Sequence, residues 1–133
     1  MPVRSAFEYA IVRVVPDVAR EELVNAGAIV FCAGHDVLAA RIELDEARLR
    51  ALHPAADLPM IRAHLAAIPR ICAGGPDGGP MAALPARERF QWLVAPRDTV
   101  VQTSAPHAGL TDDPAAVLER LLATMVRTPG VRR

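Results

Sequence analysis

Apolar and polar positions alternate with a period of two over the first third of the chain and change to helical spacing after it. In residues 6–15, "AFEYAIVRVV", Phe7, Tyr9, Ile11, Arg13 and Val15 fall on one face. Ala6, Glu8, Ala10, Val12 and Val14 fall on the other. Both faces are largely apolar, which predicts a central strand covered on both sides, because an edge strand normally carries charge or proline. Pro16 and Asp17 end it, since proline brings no donor to a ladder. Residues 23–32 form a second strand, with Gly27 as a bulge or point of close approach. After the turn at 33–36, residues 37–44 alternate again, with Leu38, Ala40, Ile42 and Leu44 inward and Arg41 and Glu43 on the opposite face. The short connections predict an antiparallel meander.

Helical spacing follows. Asp45 caps "EARLRALH", which Pro54 stops. Asp57 caps the next helix, whose stripe is Ile61, Leu65 and Ile68 and whose end is set at Pro69. Residues 73–80, "AGGPDGGP", read as a flexible loop. Residues 85–95 read as a helix opened by Pro85 and carrying the only tryptophan, Trp92. A fourth strand spans 98–104. Asp113 and Pro114 open a last helix with the stripe Val117, Leu118, Leu121, Leu122 and Met125, and Arg127 near its end suits the helix dipole. This order predicts one α+β domain, with an antiparallel sheet of about four strands in the order 3-2-1-4 and helices packed against it. Its ordered core runs from about residue 6 to 127, followed by a short tail at 128–133.

Composition narrows the function. The chain of 133 residues has 15 basic and 15 acidic side chains and no net charge, against a general nucleic-acid binder, which needs a basic excess. No apolar run reaches the length of a membrane span, and "MPVRSAFEYA" lacks a signal-peptide core, so a cytoplasmic location is expected. Cys32 and Cys72 suit reduced thiols. All 15 basic residues are arginine. Without lysine the chain supplies no Schiff base, no lysine general base and no Walker-type phosphate loop.

Five residues are candidates for a site: Arg13, Asn25, Arg97, Ser104 and His107. Arg13 sits within a two-sided strand, where burial is costly unless a partner is present. It either binds an anion or pairs with an acid, Glu22 and Asp98 being the nearest in sequence. Asn25 and Gly27 suit a strand entry and a bulge. In residues 95–109, "APRDTVVQTSAPHAG", Arg97, Asp98, Gln102, Ser104 and His107 cluster around a short strand. Arginine offers a fork for phosphate or carboxylate, and histidine can shuttle protons near neutral pH. Ser104 and His107 have the types of a nucleophile-base pair but no nucleophile-elbow motif. The alternative is a loop whose polar side chains satisfy backbone groups. Cys32 and His35 have a C-x-x-H spacing without a second pair, and His53 and His64 read as surface residues, so no metal and no cofactor are expected. "GGPDGG" has no Lys-Ser/Thr after it and reads as a surface loop. Phe90 and Trp92 serve either an interface or the core.

Taken together, "YAIVRVVPDVAREELVNAGAIVF" and "FQWLVAPRDTVVQTSAPHAGLTDDP" resemble the bacterial family called domain of unknown function 3037. The shared positions are Tyr9, Arg13, Pro16, Asp17, Arg20, Glu22, Asn25, Gly27, Pro96, Arg97, His107 and Gly109, and the likeness runs from about residue 7 to 127. The resemblance implies no established activity. It does imply an association with HipA-like serine/threonine kinases, and hence a protein-binding accessory role, with a homodimer left open. The second reading is an enzyme or ligand-binding protein for a phosphorylated or carboxylated small molecule, using Arg13, Arg97 and His107. Convergence of Arg13 and Arg97 on one pocket favours the ligand, and separate burial favours the partner.

Overall fold

The computed structural model describes residues 4–129; positions 130–133 of the expected tail lie outside the described residues. Strand β1 (Ser5–Val14) is the spine. On one edge it pairs antiparallel with β2 (Val24–Cys32), which pairs in turn with β3 (Val37–Ile42). On its other edge β4 (Val101–Thr103) lies against Val12–Val14, and β5 (His107–Thr111) lies against Ser5–Tyr9. The sheet order is β3-β2-β1-β4 with β5 also on β1, so β1 is internal, as its two apolar faces predict.

The sheet has five strands rather than about four, because the last edge strand is broken in two. Val12 faces Thr103, and an unbroken register would set Tyr9 opposite Pro106. Tyr9 instead faces His107. One residue is therefore in excess, at a segment where Pro106 has no donor to give. The expected strand 98–104 shortens to β4, and the "PHAG" segment, expected to be loop, starts β5.

A second bulge lies on the opposite edge of β1. Val12 faces Gly27 while Arg13 faces Asn25, so Ala26 is the extra residue. A Cβ at Gly27 would stand 2.5 Å from the Arg41 carbonyl oxygen, closer than any side chain tolerates. Glycine there is a condition of β2–β3 pairing.

Two helical layers cover the sheet. On one face Val12, Val14, Ile29 and Phe31 pack with Leu49 of α1 (Glu46–Leu52), Ile61 and Leu65 of α2 (Leu58–Ala73) and Phe90 of α3 (Ala86–Leu93). On the other, Phe7, Ile11, Ala28 and Val30 pack with Val117, Leu118 and Leu121 of α4 (Pro114–Leu121). Asp45, Asp57 and Asp113 each accept a backbone N–H in the first turn of α1, α2 and α4, at 3.1, 3.1 and 3.2 Å.

Two helix ends depart from expectation. Pro69 does not end α2, which continues to Ala73 and stops at Gly74, where φ is 76°. Ile71 and Cys72 beyond the proline are buried in the core, and their packing outweighs the one lost backbone bond. The last helix widens into a π turn over Leu122–Val126. The wider turn rotates Met125 out of the apolar stripe, leaving it 44% exposed, and brings Val126 in. The 73–80 segment contains a 3-10 turn at Pro76–Gly78 and enters a second at Pro80–Ala83.

The end of the last helix is clamped to β3 by charge. Arg127 pairs with Glu43 at 2.8 Å and with Glu119 at 2.5 Å, and Arg41 reaches Glu119 at 2.9 Å and Glu43 at 3.2 Å. Hydrogen bonding from Arg127 is the main cause that holds both carboxyls below the usual carboxylate range.

Two tests follow from this packing. Leu121→Ala should cost about 2–5 kcal/mol in chemical denaturation, and Met125→Ala under about 1 kcal/mol. Equal costs would mean that the π turn does not set which side chain is inside. The lowered carboxyl values stabilise the fold fully above the unfolded-state pKa, and this stabilisation is lost as pH falls through the folded-state values. The melting temperature of Arg127→Gln should therefore lie below the parent's near pH 7, and the gap should close in acid or high salt. A gap independent of pH would show that the clamp contributes no charge interaction.

Candidate functional site

The sequence candidates divide between the two faces of the sheet. Val12 and Val14 point into the α2/α3 layer, so Arg13 between them lies on the α4 face with Ile11. Its Cα neighbours are Asn25 on β2 and Gln102 on β4. Arg97 lines a concavity formed with α2 and α3 on the opposite face. The two arginines do not converge.

Arg13 also lacks the predicted acid. Glu22 pairs with Arg20 instead, at 2.7 Å on the surface, and neither Glu22 nor Asp98 ion-pairs with Arg13 among the described residues. The connector explains this: the 3-10 turn Val18–Arg20 and the left-handed Glu21 (φ 59°) turn the segment away from the strand before Glu22 is reached. The Nε of Arg13 is buried with no hydrogen-bond partner.

Asn25 joins two elements that are distant in sequence. Its Nδ2 donates to the Met125 carbonyl at 2.9 Å, tying β2 to the π turn. Arg48 donates to the Val126 carbonyl at 3.2 Å beside it. The π turn thus has two of its end carbonyls answered by side chains from distant elements.

Ser104 spans the break in the edge strand. Its N–H donates to the Ile11 carbonyl at 2.8 Å, and its Oγ accepts the Ile11 N–H at 2.9 Å, where a backbone carbonyl would stand in a regular ladder. The hydroxyl donates onward to the Ala105 carbonyl. It does not reach His107. The His107 ring stacks on Tyr9 at 5.3 Å, and Gly109 lies under the ring of Phe7, 2.8 Å from where its Cβ would be. Along β1, Tyr9 and Arg13 are four residues and so about 13 Å apart, which separates His107 from Arg13 by a similar distance.

Arg97 caps α3. Its guanidinium donates to the carbonyls of Leu93 and Trp92 and lies over the Trp92 ring, 4.5 Å from the centroid. The two aromatics of α3 separate: Phe90 is buried against Phe31 at 5.5 Å, and Trp92 is 40% exposed.

The concavity beside Trp92 measures about 300 Å³. Ala67, Ile68, Ile71, Leu93 and Val101 give it an apolar floor; His64, Arg97, Thr99, Gln102 and Thr103 are its polar members, and no carboxylate lines it. The Thr103 hydroxyl is buried and unpartnered. His64, a surface residue by its sequence context, lines this groove, which no sequence motif announces. Its signal is the second flank of α2, where 64, 67, 68 and 71 recur at helical spacing beside the main stripe. A larger concavity of about 520 Å³ lies near the far end of β1, where Arg87 is already paired with Glu8 at 3.4 Å and lies over Phe31.

Cys32 Sγ lies 3.4 Å from His35 Nδ1, but among the described residues no group of three His, Cys, Asp or Glu side chains is placed to hold a metal. Burial pushes the Cys72 thiol up to about 12, which keeps it protonated at neutral pH.

The two ambiguous polar residues can be tested by stability. Ser104→Ala should cost about 1–3 kcal/mol, the cost of leaving the Ile11 N–H unanswered. Glu22→Gln and Asp98→Asn should change stability by less than about 0.5 kcal/mol, and Arg13→Met should be neutral or stabilising because it removes an unpartnered buried donor. A loss of several kcal/mol in Arg13→Met would reveal a partner for the guanidinium.

A family model described as "Protein of unknown function (DUF3037)" covers residues 9–126. No curated protein and no solved structure matches the chain. The matched span takes in all five strands from Tyr9 onward, the helices on both faces and every candidate residue, and the chain belongs to the DUF3037 family.

Proposed function

We propose that this chain is a protein-binding module whose receptor surface is the groove between α2, α3 and β4. The observation that carries it is the half-exposed Trp92 beside an apolar concavity of about 300 Å³ with no carboxylate among its lining residues. Such a groove suits an apolar anchor from a partner segment, with a neighbouring carboxylate answered at the Arg97 and His64 end. Exposed tryptophans in apolar surroundings are frequent energetic centres of interfaces. The separation of Arg13 from Arg97 speaks for the same reading, as does the use of Asn25, Ser104 and Arg97 in holding the fold. A HipA-like serine/threonine kinase is the partner to which the family resemblance points, and binding it would make the chain an accessory protein.

The test is retention of a co-expressed HipA-like kinase from the native host on the tagged chain. Trp92→Ala should weaken binding about 30-fold or more, as for a central anchor worth about 2 kcal/mol. His64→Glu should weaken it as well, by setting a negative charge on the rim, and neither variant should lower the melting temperature by more than a few degrees. Absence of retention, or retention unchanged in both variants, would overturn the reading. A melting temperature raised instead by phosphorylated or carboxylated small molecules would move the function to a ligand.

A further inference from the structure

The outer edge of β5 has no partner among the described residues. The ladder on β1 fixes which groups it presents. Ile11 bonds Ser104 and Val15 bonds Val100, so the odd residues of β1 point their backbone groups toward the β4/β5 edge. Ser5, Phe7 and Tyr9 therefore take up Thr111, Gly109 and His107. The N–H and C=O groups of Ala108 and Leu110 are left pointing outward.

Natural edge strands are guarded by charge, proline or an inward-facing charge. "HAGLT" has no Lys, Arg, Asp, Glu or Pro. Leu110 is 61% exposed, and Ala108 and the facing Ala6 are exposed beside it. The other edge of the sheet is different: β3 carries Arg41, held in the charge clamp, and α2 packs against it.

We infer that β5 is the interface of a twofold homodimer, in which β5 of one copy pairs antiparallel with β5 of a second copy about an axis through Gly109. Three observations select a second copy of this chain as the occupant. First, this register is self-complementary. Ala108 faces Leu110 of the other copy and Leu110 faces its Ala108, so all four outward backbone groups of each copy are bonded, and the two exposed leucines gain apolar neighbours. Second, Gly109 meets itself on the axis in a non-hydrogen-bonded pair, where Cα atoms approach to about 4.5 Å. A side chain there would be caught between its own Phe7 ring and the second copy; glycine leaves the approach open. Third, the ends match in charge. The antiparallel arrangement sets the acidic end, Asp112 and Asp113, of one copy beside His107 of the other, and a chain of zero net charge opposes its own copy with no long-range repulsion. The edge is also short. The offset at 104–106 interrupts it, so a longer strand could not continue onto β4 in the same register.

The experiment is sedimentation equilibrium of the full chain across a concentration series, with hydrogen exchange on the same samples. The parent should be a dimer, with the amides of Ala108 and Leu110 protected. Leu110→Lys places a charge on the exposed edge and should raise the dimer dissociation constant at least tenfold, with loss of that protection. Ala108→Pro removes only an outward N–H and should do the same. The Leu110→Lys melt, taken at a concentration where both forms are monomeric, should match the parent and so separates dimer loss from unfolding. A monomeric parent overturns the proposal, and so does a dimer whose dissociation constant is unchanged by Leu110→Lys.

Discussion

Every backbone group of an internal strand must be bonded on two edges, and the rest of this fold is arranged around meeting that demand for β1. The strand is ten residues long, with Ala10, Val12 and Val14 fully buried, so water cannot repair a missing bond. Its far edge is served by β4 and β5, which are out of register with each other by one residue. Where the two fail to meet, the Ser104 hydroxyl takes the place of a carbonyl for Ile11. On the near edge the bulge at Ala26 absorbs a similar mismatch and turns Asn25 toward the π turn. Residues that look chemically equipped are thus placed where the ladder is irregular, because irregular ladders leave groups that only side chains can answer.

This explains how much of the fold could be read directly. Alternation on β1 implied burial on two faces, and burial on two faces implied an internal position and the order β3-β2-β1-β4. The aspartate caps of α1, α2 and α4 were legible because an N-cap acts within three residues of itself. What was hidden is non-local. Pro69 reads as a stop until Ile71 and Cys72 are known to be core. Met125 reads as buried at a spacing of 3.6, and only the π turn, held by Asn25 from a hundred residues away, exchanges it for Val126. The second half of the edge strand was hidden because pairing resumes beyond Pro106 only after one residue has been set out of the ladder.

The candidate residues follow the same division. Arg13 was legible as an anomaly, an arginine inside an apolar strand, but its environment was not. The expected acid is turned away by the 3-10 connector, and Nε stays unpartnered. Arg97, Ser104 and His107 are close in sequence and read as a cluster. In space Arg97 turns back to cap α3, Ser104 lies in the ladder, and His107 stacks on Tyr9. Several of the motif positions read from the sequence are therefore joints of the fold: His107 on Tyr9, Gly109 under Phe7, Gly27 against Arg41. A resemblance carried by such positions is informative about architecture and nearly silent about chemistry.

Catalysis by side chains needs groups within hydrogen-bond reach of one reacting atom. The five sequence candidates, Arg13, Asn25, Arg97, Ser104 and His107, are spread along about 13 Å of one strand or divided between two faces of the sheet. Recognition of a protein makes a different demand: surface that is apolar, exposed and rigidly supported. On the proposed reading the broken edge strand offers two such surfaces. β4, bonded to Val12–Val14, forms a wall of the groove with Val101 and Thr103. β5, displaced by one residue, pairs with Ser5–Tyr9 and leaves a short uncharged edge outside. Had the strand run on in one register, Pro106 would have stood opposite Tyr9 and deprived it of a donor. The extra residue moves the proline out of the ladder, brings His107 onto Tyr9, and separates the groove from the β5 edge.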